Sequence, residues 1–373
     1  MGKNEAMVTE QFRDIIAKNY QIGDLKRIEK LQKGYVNISY EVETLKDGQK
    51  GRYFFRRYKD GIKEEEVQFE HAIIGHLVKK DFGLVAPLVR TRDGRTYVKQ
   101  LRHTGRKENG DDVFFSLFEF LSGDDRYTWD HPDCSDTELR KAAAVLAQYH
   151  AAVIDLVPEG RRFEPKILHL LPVAAENVRA FAKRAGSTEF DAYFLENLDL
   201  ILDVIDLTRR GMDEKGYKEM IHLAVHGDFH PGNLKFQNDD IAGLFDFDWT
   251  KMDARCFDVG LAITYFCTTW DGERDGDLRL DKAAGLVKAY QGALTHLKGL
   301  PPLNHNERQY LPAMINASNI YVLNWDLQDF YTKKVSPDEY LRYLKHSVRF
   351  MTWLEDETNQ NKLERTIRDA SQG

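Results

Sequence analysis

The chain has 373 residues, of which 42% are hydrophobic and 30% charged, and its 53 basic and 60 acidic side chains give a net charge of −7. This length allows two domains with separate cores, and the acidic balance excludes a general basic field for nucleic acid. No apolar run approaches the roughly 18 residues of a membrane span, and the first residues lack the apolar stretch of a secretory signal. The cysteines, Cys134, Cys256 and Cys267, form no CxxC pair. We expect a cytoplasmic protein with free thiols, and neither nucleic acid nor a membrane as its partner.

The first third of the chain is typical of a small antiparallel sheet with one crossing helix. Asp47-Gly48 joins two β-rich runs as a hairpin, and Glu64-Glu65-Glu66 opens a helix whose apolar residues follow helical spacing. The other predicted elements are a helix over 9–20, strand-like runs within 28–42, short strands on both sides of Asp93-Gly94, and an apolar strand over 113–121.

Beyond Gly123 the pattern becomes mainly helical. Capping boxes mark helix starts at Ser135 and Ser336. The sequence predicts an α+β fold with a β-rich N-terminal lobe over 1–121 and a larger helical lobe over 122–373, whose charged tail frays from about Asp356. The predicted helices of this lobe are 139–154, 177–185, 190–209, 283–296, 308–331 and 340–353.

Two stretches in the middle of the chain carry the candidate chemistry. The run from Val225 to Phe236 contains Asp228 and, five residues later, Asn233, and a second apolar run ends at Asp246. Kinases use the same pattern for phosphoryl transfer: an Asp, an Asn five residues later, and then an Asp-Phe pair. The first Asp accepts the proton of the attacking hydroxyl. The Asn and the second Asp supply the oxygen ligands that Mg²⁺ prefers.

These stretches resemble the aminoglycoside phosphotransferase and choline kinase family, with the homoserine-kinase-like branch as one possible neighbour. The resemblance covers about 32–266, and we expect it to bring a protein-kinase-like two-lobe fold with ATP between the lobes and a small-molecule hydroxyl as acceptor. It is carried by His226-Gly227-Asp228-Phe229-His230-Pro231-Gly232-Asn233, Leu244-Phe245-Asp246-Phe247-Asp248, Phe257-Asp258-Val259-Gly260 and, more faintly, Ala147-Gln148-Tyr149-His150.

The resemblance implies a role for each matching position of the central motif. Asp228 is the implied catalytic base, and Asn233 and Asp246 are the implied magnesium ligands. Asp258 is the implied buried carboxylate that braces the catalytic loop. His226 is expected to anchor the same loop through a hydrogen bond rather than to take part in acid–base chemistry.

In the N-terminal lobe the resemblance implies a nucleotide site. Arg56 is similar to the basic residue that pairs with the α- and β-phosphates, and Glu70 to its partner on the crossing helix. The connector that contains Glu119 and Leu121 is similar to the hinge whose backbone binds adenine.

Two departures from the family pattern affect that site. Arg56 stands where a Lys is usual, which keeps the charge but changes a point donor into a planar fork, and the neighbouring Arg57 leaves the register open by one residue. The loop around Gly34 has one glycine and does not match the glycine-rich pattern G-x-G-x-x-G.

The acceptor is expected to be small. Twelve positions separate Asp246 from Asp258, which leaves no room for the long segment that docks a peptide. Carboxylates interleaved with aromatics, as at Trp325-Asp326, suit an amine through ion pairing and cation–π contact. His230 and Asp248 are further candidate acceptor contacts, although Asp248 is equally consistent with an exposed turn. The expected acceptors are amino-bearing hydroxyl compounds of the homoserine, choline, ethanolamine, amino-sugar or aminoglycoside type, and the expected oligomeric state is a monomer or a homodimer.

Two other hypotheses fit parts of the sequence. Arg56 and the glycine-poor loop would suit a pseudo-enzyme that binds a nucleotide and acts as a regulator. His226, Asp228 and His230 would suit a metal-dependent hydrolase, although a site built on two His usually needs a further His ligand.

Overall fold

The computed structural model describes residues 3–31, 37–101 and 112–371, so the predicted glycine loop at Gly34 lies outside the described residues. The chain divides into two compact units, the first containing residues 1–122, 157–162 and 243–245, and the second containing 123–156, 163–242 and 246–373. The helices are α1 (Lys3–Asn19), α2 (Glu64–Lys79), α3 (Asp136–Val153), α4 (Ile167–Ala182), α5 (Glu189–Glu196), α6 (Leu198–Gly211), α7 (Glu214–Lys218), α8 (Arg255–Cys267), α9 (Leu280–Leu294), α10 (His305–Thr332), α11 (Pro337–Glu355) and α12 (Glu357–Ala370). The strands are β1 (Asp24–Lys30), β2 (Ile38–Lys46), β3 (Gln49–Arg57), β4 (Val98–Leu101), β5 (Asp112–Glu119), β6 (His222–Val225), β7 (Leu234–Gln237), β8 (Asp240–Leu244) and β9 (Lys251–Ala254).

The first unit is built on an antiparallel sheet in the order β1-β2-β3-β5-β4. The predicted hairpin is confirmed: Asp47 and Gly48 both have positive φ, at 51° and 79°, as a two-residue turn that follows the twist of its strands requires. The predicted strand before Asp93 is wrong. In the described structure, Leu88 makes an isolated bridge with Phe118, and Thr91 then bonds to Arg95 in a local turn that competes with a strand.

Helices cover both faces of this sheet. Neighbouring residues of β5 point to opposite sides, as strand geometry requires. Phe115 packs against Phe12 of α1, with ring centroids 5.8 Å apart, while Phe114 belongs to a second cluster with Val67 of α2. The Glu64–Glu66 run opens α2 as predicted.

The second unit is a bundle in which α10 contacts α4, α6, α8, α11 and α12. Two short two-stranded sheets, β6–β9 and β7–β8, lie within the chain between α7 and α8. These sheets matter for function because the loops that follow β6 and β8 carry the central motif. Within the described ranges, no helix is long and apolar enough to cross a membrane.

Three helical features differ from the sequence-based expectation. The predicted helix over 190–209 is divided at Asn197, which ends α5 and begins α6. The tail does not fray: Asp356 caps α12 by accepting a hydrogen bond from the Asn359 N–H at 2.9 Å, and Leu363 and Ile367 are buried on one face. Helix α8 was not predicted, because all 13 of its residues are buried and it therefore has no amphipathic period.

Candidate active site

The loop after β6 holds Asp228 in a conformation that depends on Gly227. Gly227 has a φ of 76°, and a Cβ placed there would lie 2.4 Å from the carbonyl oxygen of Trp249, so only glycine fits this position. The chain then makes a 3₁₀ turn over Pro231–Asn233, which His230 caps by accepting a hydrogen bond from the Gly232 N–H at 3.0 Å. The turn brings Asn233 back to Asp228.

Asp228 is a half-buried carboxylate surrounded by donors. The Asn233 amide nitrogen donates to its Oδ2 at 3.0 Å, and Tyr265 OH donates to its Oδ1 at 3.3 Å. His230 Nε2 lies 3.5 Å from Oδ2. Burial by itself raises the pKa of Asp228, but His230, His226 and Asn233 together outweigh burial and hold this pKa below its usual value. Asp228 is therefore ionised at neutral pH and can accept a proton.

The start of this loop is held by Asp258 on α8. The backbone N–H of His226 donates to Asp258 Oδ2 at 2.6 Å, and that of Gly227 donates to Oδ1 at 2.8 Å. Burial lowers the pKa of His150, which is therefore neutral and donates from Nε2 to Asp258 Oδ2 at 3.0 Å while its Nδ1 accepts from Tyr290 OH. Asp258 thus fixes the two residues that lead into Asp228, which is the arrangement that a structural brace requires.

Asn233 and Asp246 lie at the same end of the β7–β8 hairpin, since Asn233 directly precedes β7 and Asp246 follows β8. Asn233 uses its amide nitrogen for Asp228, and within the described structure its Oδ1 accepts no hydrogen bond. Asp246 has a φ of 65°, a left-handed conformation that few non-glycine residues adopt and that occurs often at functional sites. One amide oxygen and one carboxylate fit the few protein ligands that Mg²⁺ takes when it also binds phosphates and water.

In the first unit Arg56 and Glu70 form a buried ion pair. Arg56 Nη1 lies 3.1 Å from Glu70 Oε1, and both side chains are less than a tenth exposed. Arg57 instead pairs with Asp60, which is largely exposed. Of the two arginines, Arg56 is therefore the one that pairs with Glu70 on α2.

The second oxygen of Glu70 ends a chain of buried hydrogen bonds. Tyr58 OH donates to Glu70 Oε2 at 2.8 Å and lies 3.0 Å from His71 Nε2, while His71 Nδ1 lies 2.8 Å from Thr96 Oγ1. Burial lowers the pKa of His71 to about 3, so the ring is neutral. Ser116 Oγ also lies 3.2 Å from His71 Nε2, so the neutral ring is held by three hydroxyl groups. Through Tyr58 this network fixes the position of the Glu70 carboxylate.

The two hinge candidates differ in their backbone partners. Glu119 ends β5, and its N–H donates to the carbonyl of Pro87 at 2.9 Å. Leu121 lies beyond the strand, and its N–H has no hydrogen-bond acceptor among the described residues. Of these two N–H groups, only that of Leu121 is available to a ligand.

The acceptor candidates lie in different surroundings. His230 adjoins Asp228, and Asp248 is buried in the 3₁₀ turn over Phe247–Trp249 rather than in an exposed turn. Trp325 is half-buried on α10, and Asp326 beside it is fully buried.

Sequence reasoning missed several residues that support these groups. Tyr265, which bonds to Asp228, follows Asp258 by seven residues, or two turns of α8, so helical spacing from that carboxylate would have found it. Tyr290 and His71 carry no such signal, because only the folded chain brings them to His150 and Tyr58.

A metal-dependent hydrolase would need His226, Asp228 and His230 to face one point. Within the described ranges, no group of three or more His, Cys, Asp or Glu side chains is arranged to hold a metal ion. His226 is instead fully buried beside Phe247, with ring centroids 5.0 Å apart.

The first unit is an antiparallel β-sheet with a buried Arg–Glu pair, and the second is a helical unit with Asp, Asn and Asp on two adjacent loops. These features define a kinase-like fold of the protein-kinase type. The chain belongs to the Phosphotransferase enzyme family (APH), whose sequence profile matches residues 27–293. It is a small-molecule phosphotransferase, a kinase with an alcohol group as acceptor, and its kinase-like relatives imply use of a nucleotide.

Related proteins match over nearly the whole length. A homoserine kinase from Parvibaculum lavamentivorans is 25% identical over 345 residues, which cover 91% of this chain and 94% of the relative. Among solved structures, the amicoumacin kinase hAmiN has a TM-score of 0.63 at 14% identity and covers 96% of this chain and 97% of its own. A choline kinase from Cryptosporidium parvum has a TM-score of 0.60 at 13% identity, with 96% and 98% covered. These structural likenesses show the fold.

Proposed function

We propose that the chain is an ATP- and magnesium-dependent kinase that transfers the γ-phosphoryl group to a hydroxyl of a small, amino-bearing metabolite. The observation that carries this proposal is the state of Asp228, an ionised carboxylate held by Asn233 and Tyr265 at the end of a braced loop. A carboxylate fixed in this way suits one step, the acceptance of a proton from an attacking hydroxyl.

The proposed reaction needs three functions from this chain. The acceptor hydroxyl gives its proton to Asp228 as its oxygen forms a bond to the γ-phosphorus, and the bond from that phosphorus to the bridging oxygen breaks to release ADP. Arg56, fixed by Glu70, would neutralise the α- and β-phosphates, and the Leu121 N–H would donate to adenine. Asp258 would keep Asp228 in place during the transfer.

Asn233 and Asp246 would hold the magnesium ion. When bound, Mg²⁺ would neutralise charge on the phosphate oxygens and orient the γ-phosphoryl group. The Asn233 amide suits this role because its nitrogen is already committed to Asp228, which directs its oxygen away from that carboxylate.

The expected acceptor is supported by chemistry and by the relatives. The relative from P. lavamentivorans is a homoserine kinase, and a structural neighbour is a choline kinase. Homoserine and choline both join a hydroxyl to a positively charged nitrogen. The second unit of this chain places buried carboxylates, Asp326 and Asp329, on the helix that packs against α8.

The proposal is tested by ADP release from the purified full chain with ATP and Mg²⁺. The acceptor panel contains homoserine, choline, ethanolamine, amino sugars, methylthioribose and aminoglycosides, with GTP in place of ATP and EDTA in place of Mg²⁺ as controls. The proposal expects acceptor-dependent ADP release that EDTA abolishes. Tight ATP binding with no release for any acceptor, or turnover that EDTA leaves unchanged, would contradict it.

A further inference from the structure

The Tyr58 side chain is fully buried in the first unit, directly after β3. Its N–H donates to the Phe114 carbonyl at 3.0 Å, which continues the pairing of β3 with β5 by one residue. Its ring packs in one cluster with Phe114 and with Val67 of α2. Since alternate residues of an extended strand point to the same face, Tyr58 lies on the face of the sheet that also carries Arg56.

Tyr58 contacts both members of the buried Arg56–Glu70 pair. Its hydroxyl donates to Glu70 Oε2 at 2.8 Å, while Arg56 Nη1 lies 3.1 Å from Oε1 of the same carboxylate. The Tyr58 ring centroid lies 5.8 Å from Arg56 Cζ. Because each oxygen of the Glu70 carboxylate has its own donor, the carboxylate cannot rotate without losing a hydrogen bond.

The Tyr58 hydroxyl is itself held by a partner other than Glu70. It lies 3.0 Å from Nε2 of His71, the residue that follows Glu70 on α2. The His71 ring is in turn fixed by Thr96 Oγ1 at 2.8 Å and by Ser116 Oγ at 3.2 Å. The loop before β4 and strand β5 therefore determine where the hydroxyl lies, and the hydroxyl determines where the carboxylate lies.

The orientation of Glu70 matters because its partner is an arginine. A guanidinium carries its N–H groups in a planar fork, so the N–H groups that face a ligand depend on how the plane is turned. A lysine ammonium is a point charge with three rotatable donors and has no such plane. Aromatic rings enclose the Arg56 fork, with the centroids of Phe54 and Phe118 each 5.5 Å from Cζ. Glu70 gives this enclosed fork its polar anchor.

We infer that Tyr58 is a positioning residue of the nucleotide site, which fixes Glu70 and thereby holds the Arg56 fork in the plane that binds the α- and β-phosphates. The inference rests on the proposed kinase function and deepens its nucleotide site. Tyr58 acts through Glu70 and Arg56 rather than by touching the nucleotide. Its hydroxyl is therefore needed with an arginine at position 56 and dispensable with a lysine.

The test is a double-mutant cycle on the affinity for ADP, which carries the α- and β-phosphates and needs no acceptor. The full chain is titrated with ADP and Mg²⁺. Tyr58→Phe keeps the ring and removes the hydroxyl, and it should raise the Kd for ADP roughly fivefold, the effect of one lost hydrogen bond. In the Arg56→Lys background the same substitution should change the Kd by less than about twofold. An equal rise in both backgrounds would overturn the inference, because a general structural effect does not depend on Arg56.

Tyr97→Phe is the matched control on the same helix. Tyr97 is half-buried, and its hydroxyl donates to Oε1 of Glu64, in the first turn of α2, at 2.6 Å. The variant loses a tyrosine–glutamate hydrogen bond of the same kind, so its melting temperature should fall, but its Kd for ADP should stay that of the wild type. If Tyr97→Phe weakened ADP binding as much as Tyr58→Phe, the effect would come from α2 as a whole and the inference would fail.

Thr96→Val loosens the same network from its far end and replaces Tyr58→Phe if that variant does not fold. It should raise the Kd for ADP about twofold to threefold in the wild-type background and leave it unchanged in the Arg56→Lys background. If Tyr58→Phe did not fold and Thr96→Val left the Kd of the wild type unchanged, the role of Tyr58 would be wrong.

The failure of the inference can be told from the failure of the proposed function. If the wild type binds ADP and Tyr58→Phe binds it equally well, the nucleotide site stands and only the role of Tyr58 is wrong. If the wild type binds no nucleotide, the proposed kinase function fails and the inference fails with it. In steady-state kinetics, Tyr58→Phe should raise the KM for ATP and leave the KM for the acceptor unchanged.

Discussion

The hydroxyl of Tyr265 donates a hydrogen bond to Oδ1 of Asp228 at 3.3 Å. Burial and the nearby carboxylates raise the pKa of Tyr265 well above its ordinary value, so the hydroxyl keeps its proton at any working pH. A permanent donor to a carboxylate favours the ionised form of that carboxylate and fixes its orientation. Tyr265 is therefore a positioning residue for the proposed base.

Tyr265→Phe is expected to lower kcat by roughly fivefold, which corresponds to one hydrogen bond of about 1 kcal/mol. Loss of the donor also raises the pKa of Asp228, so the acidic limb of the pH profile of kcat/KM should move to higher pH. Tyr217→Phe is the matched control, because that buried hydroxyl bonds to Asp253 outside the site. It should cost stability and leave the acidic limb in place. An unmoved limb in Tyr265→Phe would refute the positioning role.

The Asp258 brace predicts a coupled loss of stability and activity. In Asp258→Asn a single oxygen remains for the two N–H groups of His226 and Gly227, and the new NH₂ group faces a donor. We expect a loss of about 3 kcal/mol in the free energy of unfolding and a lower kcat.

Asp253→Asn separates these two effects. Asp253 is equally buried and also accepts backbone hydrogen bonds, from Ile167 N at 2.7 Å and Ala254 N at 2.8 Å. Chemical denaturation should show a similar loss of stability in both variants, whereas steady-state kinetics should show a lower kcat only in Asp258→Asn. Equal effects on kcat would mean that Asp258 has no special connection to the catalytic loop.

Arg56 and Arg57 should differ in their effect on nucleotide binding. Arg56→Lys keeps the charge but loses the planar fork beside Glu70, so the KM for ATP should rise roughly fivefold. Arg57→Lys should leave this KM unchanged, because its partner Asp60 is largely exposed. If Arg57→Lys raised the KM for ATP and Arg56→Lys did not, the phosphate contact would belong to Arg57.

His71 should make the protein sensitive to acid. Its pKa is about 3 in the folded protein, below the ordinary value of 6.5, so between these values the unfolded chain binds a proton that the folded chain excludes. Stability therefore falls as the pH drops below 6.5, by about 1.4 kcal/mol per pH unit from this one group. Melting curves between pH 5 and pH 8 should show a shallower slope for His71→Gln, while the exposed His131→Gln keeps the slope of the wild type.

Local patterns in the sequence were sufficient for the fold class and for the central motif. The Asp47-Gly48 turn, the acidic start of α2 and the helix starts at Ser135 and Ser336 are read from neighbouring residues, and the structure confirms each of them. The capping box is complete at Ser135, whereas at Ser336 the structure shows the serine cap on Glu339 N–H and a proline in the first turn. Asp228, Asn233 and Asp246 could likewise be predicted from a short stretch of sequence, because a single strand and the hairpin after it position all three residues. Whether they act as base and magnesium ligands stays a prediction.

Tertiary contacts account for what the sequence did not show. The fully buried α8 has no polar face to reveal it, and α12 is stabilised by a few apolar positions within a charged tail. The hydrogen bonds from Thr96 through His71 and Tyr58 to Glu70 join three parts of the chain, which are α2, the segment after β3 and the loop before β4. Within the part of the chain that the structure describes, Asp326 has no hydrogen-bond partner, and this depends on residues far from it in the sequence, so composition cannot predict it.

The most direct test of the central claim is the single-turnover rate of Asp228→Asn with ATP, Mg²⁺ and an acceptor that the wild type phosphorylates. Asn keeps the shape of the side chain but cannot accept the proton. The rate should fall by about a thousandfold while the affinity for ATP and the melting temperature remain close to those of the wild type. A rate within about threefold of the wild type would contradict the assignment of Asp228 as the proton acceptor.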